Sequence, residues 1–349
     1  MRKVQIMNTR TRHLLPVIVL SIVLGTLCGG CGSDTDTVEG EADPVRASLS
    51  TLQRIDPYPI YVMHWTGPTS TIAATAMRVA TVSAVSNWAC SLFAALGDPD
   101  NAVFGRNFDW EHSPMLLLYT NPEDGYASVT SVDLAYLIED ASLWPQLETL
   151  PIDDLLPLAG ALSLPFNGMN EHGVAVAMAS VPSGQYPVDP ELEDVGHLEL
   201  MRRILEGART TDEAVAMIED LSIHNQGGPP LHYLIADRET AVVLEFVDGR
   251  RIVHRTAEPW HRATNFTLAL VDTWDGVCWR FDTLTQRLSS SAGVLTPDDA
   301  MRLLQDVSNE GTQWSIVYDL SRSEMHIAAA RAYEATYTFS LTETGLVLK

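Results

Sequence analysis

Three times along this chain, two short apolar runs flank a tight polar turn, and this pattern constrains the fold more than any other feature. SLFAAL and AVFGRNF flank GDPDN between residues 91 and 108. HYLIAD (232–237) and AVVLEFV (241–247) flank RET, and WSIVYDL (314–320) and MHIAAA (325–330) flank SRSE. Each pair reads as an antiparallel hairpin, because two extended runs joined by so few residues can only fold back on each other. GVAVAMASV (173–181) is a further strand-like run. Helical spacing appears in HLELMRRILEGA (197–208). Thr210 and Glu213 form a capping-box pattern ahead of EAVAMIEDL. Thr296-Pro297-Asp298-Asp299 is a start signal for AMRLLQDV, with a cap, an early proline and acids at the positive helix end. Antiparallel hairpins mixed with amphipathic helices predict stacked sheets covered by helices, an α+β fold.

The amino terminus reads as an address. Arg2, Lys3, Arg10 and Arg12 precede LLPVIVLSIVLGTL (14–27), too short to span a bilayer comfortably but the right length for a signal peptide over residues 1–30. The following CGGCGSD is consistent with lipidation at Cys31, and an ordinary secretory signal is the alternative. Residues 31–50 are polar and acidic and read as a linker. The expected location is extracytoplasmic, periplasmic or at the cell surface, with membrane attachment if Cys31 is acylated. The formal net charge of −23 repels phosphate backbones and excludes nucleic acid as a natural partner. With Cys28 and Cys31 assigned to the signal, Cys90 and Cys278 remain, either as a disulfide or as thiols with separate roles.

A nucleophilic thiol needs a base, a cation favouring thiolate, and donors for the oxyanion. A free α-amine titrates near neutrality and can act as base on its own residue. An internal cysteine acquires one only if the bond before it, here Ala89–Cys90, is cut. Arg106 and Asp109 follow Cys90 by sixteen and nineteen residues. A hairpin turning at Gly97–Asn101 returns both to its side, although their spacing of three places them on opposite strand faces unless the strand bends. A surface Arg–Asp pair on a plain hairpin is the simpler reading of that spacing.

CSLFAALGDPDNAVFGRNFDW resembles the start of the mature chain in the choloylglycine hydrolase and penicillin V acylase family of amino-terminal nucleophile (Ntn) hydrolases. PFNGMNEHGVAVAMASVP resembles the family's Asn-Glu-x-Gly strand, ATNF its Thr-Asn segment, CWRFDTL its Ser/Cys-x-Arg-Phe/Tyr segment, and TQWSIVYD its last core hairpin. The resemblance implies a four-layer αββα sandwich over residues 90–349, with 51–89 as a pro-segment or small subunit. It implies Cys90 as nucleophile with its α-amine as base, flanked by Arg106 and Asp109. Asn265 would donate its side-chain amide to the oxyanion, with the Ser180 backbone N–H as second donor. Arg280 would support the nucleophile's end of the pocket, and Asn170 would orient its strand or touch the site. The implied substrate is a small N-acyl amide, hydrolysed or used for acyl transfer, with no metal or organic cofactor. Ser180 and Ala89 depart from the pattern, since relatives carry Asn or Tyr at the first position and Gly at the second. Met115–Leu118 and Trp144 are candidates for an acyl pocket, or simply core.

Three other readings compete. Cys90, His232 and Asn265 occur in the order of a papain-like enzyme, but the sequence around Cys90 lacks that family's signature. His232 heads an apolar strand, where a structural role is expected, and the Ntn reading leaves it dispensable for chemistry. A zinc enzyme finds no H-E-x-x-H. A non-catalytic, lipid-anchored binding protein would keep the Ala89–Cys90 bond intact.

Overall fold

A computed structural model describes residues 43–67, 89–111 and 113–349. The signal peptide, Cys31, the linker up to residue 42 and the part of the pro-segment from 68 to 88 lie outside the described residues. Ahead of Cys90 come α1 (Pro44–Leu49), β1 (Gln53–Asp56) and β2 (Ile60–Trp65). β3 (Ala89–Ala95) and β4 (Val103–Asp109) follow, then β5 (Met115–Thr120), β6 (Ser128–Asp133), β7 (Asn167–Asn170), β8 (Ala175–Ser180) and β9 (Glu193–Gly196). α2 (Glu199–Gly207) and α3 (Thr211–Glu219) lead to β10 (Leu221–His224), β11 (Leu231–Ala236), β12 (Ala241–Val247), β13 (Arg250–Arg255) and β14 (Trp260–Ala263). The chain continues through α4 (Trp279–Ser290), α5 (Pro297–Asp306), β15 (Thr312–Asp319), β16 (Glu324–Ala329), β17 (Tyr337–Thr342) and β18 (Gly345–Leu348).

Two large sheets organise these elements. One has nine strands in the order β1-β2-β5-β6-β7-β8-β11-β12-β13, the other seven in the order β14-β3-β4-β15-β16-β17-β18. Pairing within them is antiparallel except between β2 and β5. Alternation along β3 shows how the layers are built. Cys90, Leu92 and Ala94 join the large core between the sheets. Phe93 and Ala95 point the other way, into a smaller core with Leu284 and Leu288 of α4 and Ala300, Met301, Leu303 and Leu304 of α5. α2 and α3 pack on the outer face of the nine-stranded sheet. The result is the αββα sandwich, an α+β fold. Gly105 is required by packing: a Cβ there would lie 2.3 Å from the ring of Phe93.

The three hairpins and the runs at α2, α3 and α5 appear where the sequence places them. Thr296 and Asp299 form a complete capping box. Thr210 caps α3, but the Glu213 carboxylate accepts from the Arg209 N–H instead of closing the box on Thr210. The segment ahead of Cys90 departs from expectation. Residues 44–49, read as linker, form a helix because Asp43 caps it, Pro44 starts it and Leu49 is buried. β1 forms one edge of the nine-stranded sheet and β2 lies beside it, in register with β5 from Ile60 to Trp65. Met115–Leu118 are fully buried core of β5 rather than pocket lining. Trp144 packs against the core and donates through Nε1 to the Ile138 carbonyl.

Candidate active site

β3 and β4 place Cys90 opposite Phe108 and Leu92 opposite Arg106, so Cys90 and Arg106 share the inward face. The Cys90 backbone N–H donates to Asn265 Oδ1 at 2.5 Å. Asn265 Nδ2 donates to the Ser180 carbonyl at 2.9 Å and approaches Ser180 Oγ at 3.1 Å. Ser180 therefore presents acceptors to Asn265. Arg280, in the first turn of α4, is the hub of the cluster. Its Nη1 donates to the Cys90 carbonyl and to Ser91 Oγ, and its Nη2 donates to Asn265 Oδ1 at 3.0 Å.

Asp109 joins this cluster through Arg280. β4 stays in regular register with β3 as far as Asp109, so this carboxylate starts on the face opposite Arg106. Asn309 Nδ2 and Thr312 Oγ1 donate to it at 2.7 and 2.6 Å, and Arg280 Nη1 lies 3.9 Å away. The bend that the spacing requires falls on the neighbouring strand, where β15 carries a bulge between Thr312 and Trp314. Bulges of this kind re-aim side chains beside functional sites. Asn309 and Thr312 were not singled out in the sequence. Thr312 opens the TQWSIVYD run, but no spacing links either residue to Asp109.

Arg106 stands apart. It is fully buried, its three nitrogens bond no nitrogen or oxygen among the described residues, its one hydrogen-bonding neighbour there is the Cys90 side chain, and its guanidinium lies 4.9 Å from the Phe108 ring centroid. Burial lowers its pKa, and its largest favourable electrostatic interaction is with Cys90. Burial likewise raises the Cys90 thiol pKa, against the pull of Arg106 and Arg280. In this continuous chain the net direction is upward, so the thiol is held protonated rather than activated. Burial also raises Asp109 to about 6 and Asp133, at the end of β6, to about 7. Asp133 Oδ1 accepts from the Ala135 N–H, and the Ser113 side chain also hydrogen-bonds its carboxyl.

Not every expected residue reaches the site. Asn170 sits at the far end of β8 from Ser180. Its Nδ2 donates to the Leu205 and Ala208 carbonyls, and its Oδ1 accepts from His172 and Val174 N–H. It orients the β7–β8 turn against α2, and its side-chain amide is engaged there. Cys90 and Cys278 are both free thiols, so the disulfide reading falls. His232 is fully buried, with Nδ1 at 3.0 Å from Glu245 Oε1 and Nε2 at 2.6 Å from the Thr264 carbonyl. Both ring nitrogens are committed, which leaves neither for Cys90 and removes the papain-like dyad.

A cavity of about 20 Å³, room for about one water, lies nearby. Its walls include Tyr136, Phe166, Met178, Leu198 and Leu231, with Gln226 to Pro229 along one side. Tyr136 connects it to the site, since both Asp133 and Cys90 lie within its electrostatic reach.

The chain belongs to the choloylglycine hydrolase family of linear amide C–N hydrolases, whose model matches residues 90–280. It therefore has the class of fold and chemistry of a hydrolase acting on linear amides. Among similar solved structures is a mutant of the conjugated bile acid hydrolase from Clostridium perfringens, at 14% identity and a TM-score of 0.54, covering 75% of this chain and 96% of that one. A second variant of that protein matches at 13% identity and 0.54, covering 74% and 96%. Penicillin V acylase from Agrobacterium tumefaciens matches at 15% identity and 0.49, covering 72% and 92%. No curated protein matches the chain.

Proposed function

We propose that this protein is an extracytoplasmic cysteine hydrolase that cuts itself between Ala89 and Cys90 and then cleaves a small N-acyl amide through an acyl-thioester on Cys90. The observation that carries this reading is the arrangement at Cys90 itself. Asn265 holds its nitrogen, Arg280 holds its carbonyl, and Arg106 lies beside its thiol with no other partner. The family match begins at this residue, which supports it as the first residue of the working chain. The basic and apolar leader supports export.

In this mechanism the α-amine freed at Cys90 takes the thiol proton, and the thiolate attacks the amide carbonyl. The oxyanion is stabilised by the Asn265 side-chain amide, a donor of a kind typically worth about 10²–10³ in rate. The C–N bond breaks as the ammonium returns its proton to the leaving amine. Water, deprotonated by the same amine, then attacks the thioester and releases the acid. The aromatic and aliphatic walls beside Tyr136 and Phe166 favour an apolar acyl group. Amino-terminal sequencing of the protein expressed with its leader tests the reading. A chain beginning Cys-Ser-Leu-Phe that hydrolyses para-nitroanilides of apolar acids, with Cys90→Ala neither cut nor active, is the expected result. A fully active but uncut chain would overturn it.

A further inference from the structure

A second polar cluster lies beside the first and carries no role in the chemistry above. Glu245 of β12 is 1% exposed and accepts four hydrogen bonds. The donors are His232 Nδ1 at 3.0 Å, His254 Nε2 at 2.9 Å, Leu268 N–H at 2.7 Å and Ala269 N–H at 2.9 Å. The Glu245 carboxylate and the Thr264 carbonyl both only accept, so each ring nitrogen of His232 carries the proton that it donates. These bonds hold the carboxylate ionised despite burial, with its pKa lowered to about 2. β12 pairs with β13 from Val242 to Val247 and with β11 from Ala241 to Leu244, so Glu245 stands one residue past the β11 ladder. A carboxylate buried on a strand is costly unless its hydrogen bonds secure something else. Here the bonds that leave the sheet end on one segment. They hold the carbonyl of Thr264 on one flank of Asn265 and the amides of Leu268 and Ala269 on the other.

We infer that His232 and Glu245 are positioning residues that fix the backbone around Asn265 and thereby aim its side-chain amide at Cys90. The inference rests on the proposed thioester chemistry. His232 takes no proton in that chemistry, yet its loss slows it, because a catalytic group displaced by about 1 Å costs about 10²-fold. The network extends to His254, whose ring meets Trp274 at 5.8 Å, so the brace reaches the surface loop before α4.

The test measures kcat and KM on para-nitroanilides of apolar acids for His232→Ala and Glu245→Gln, each alone and combined with Asn265→Ala. Glu245→Gln keeps the shape but turns one acceptor into a donor facing N–H groups. The full chain is used, and the yield of Cys90-terminated product is recorded alongside. The expected result is a fall in kcat of about 10- to 100-fold with KM within about twofold. In the Asn265→Ala background the same substitutions should cost less than about twofold more, since residues acting through one another are not additive. If His232→Ala fails to fold, Glu245→Gln carries the same comparison. Unchanged kcat in the folded single variants, or full multiplication of the two losses, overturns the positioning role while leaving the thioester reading intact. Hydrolysis that survives in Cys90→Ala overturns both.

Discussion

Arg280 and Arg106 flank the same cysteine and are both buried, yet their surroundings are opposite. Around Arg280 the Cys90 carbonyl, Ser91 Oγ and Asn265 Oδ1 all receive a donor, with Asp109 just beyond. Around Arg106 the three buried nitrogens have only the Cys90 side chain as a hydrogen-bonding neighbour among the described residues. The first region is finished as a structure. The second holds charge that the fold does not use, and buried polar groups left in that state mark function more often than stability. In the proposed thioester chemistry Arg280 sets the shape of the main chain at Cys90, and Arg106 keeps a cation beside its thiol.

Arg280→Met offers the most severe test of this contrast. It strands three acceptors and a nearby carboxylate, and should cost about 3–5 kcal/mol in urea unfolding, measured in an uncut Cys90→Ala background. Arg106→Met breaks no hydrogen bond to nitrogen or oxygen among the described residues, only its contact with the Cys90 side chain. It should change stability by less than about 1 kcal/mol while lowering kcat/KM by about 10²-fold. A larger unfolding penalty at Arg106 than at Arg280 would reverse the assignment of roles. Asp133 sharpens the picture through pH. Its folded pKa, about 7, lies above its unfolded value, so the native state binds the extra proton between them. Stability should therefore be greatest below about pH 4 for this group and fall as pH rises towards 7, by at most about 1.4 kcal/mol per unit. Asp133→Asn should flatten that slope in pH-dependent thermal melts, and an unaltered slope would place the titration elsewhere. Thr312→Val removes one donor from Asp109 and should cost about 1–2 kcal/mol in unfolding, without the loss of turnover expected at Arg106.

The contrast also separates what the sequence could and could not disclose. Cys90, Arg106 and Asp109 were legible because a hairpin with one short turn fixes who faces whom across two adjacent strands. Asn265, Arg280 and Ser180 come from three distant segments, and only the ordered resemblance brought them together in advance. Asn170 belonged to the same resemblance, yet its amide is consumed at the β7–β8 turn. The Glu245 brace was not legible. Its donors are two histidines on neighbouring strands and two backbone amides, and backbone donors leave no trace in residue types. The strands before Cys90 were hidden for a related reason. IYVMHW looks like any apolar run, and its parallel partner β5 lies more than fifty residues away.

That parallel pairing of β2 with β5 has a consequence for the protein's life after maturation. A break before Cys90 would leave the nine-stranded sheet built from two polypeptides, with the shorter one contributing an edge. Unfolding would let the fragments diffuse apart, and recovery would become a bimolecular encounter that slows with dilution, whereas an uncut chain refolds at a rate independent of concentration. The molecule would thus assemble once as a single chain and afterwards depend on never coming apart.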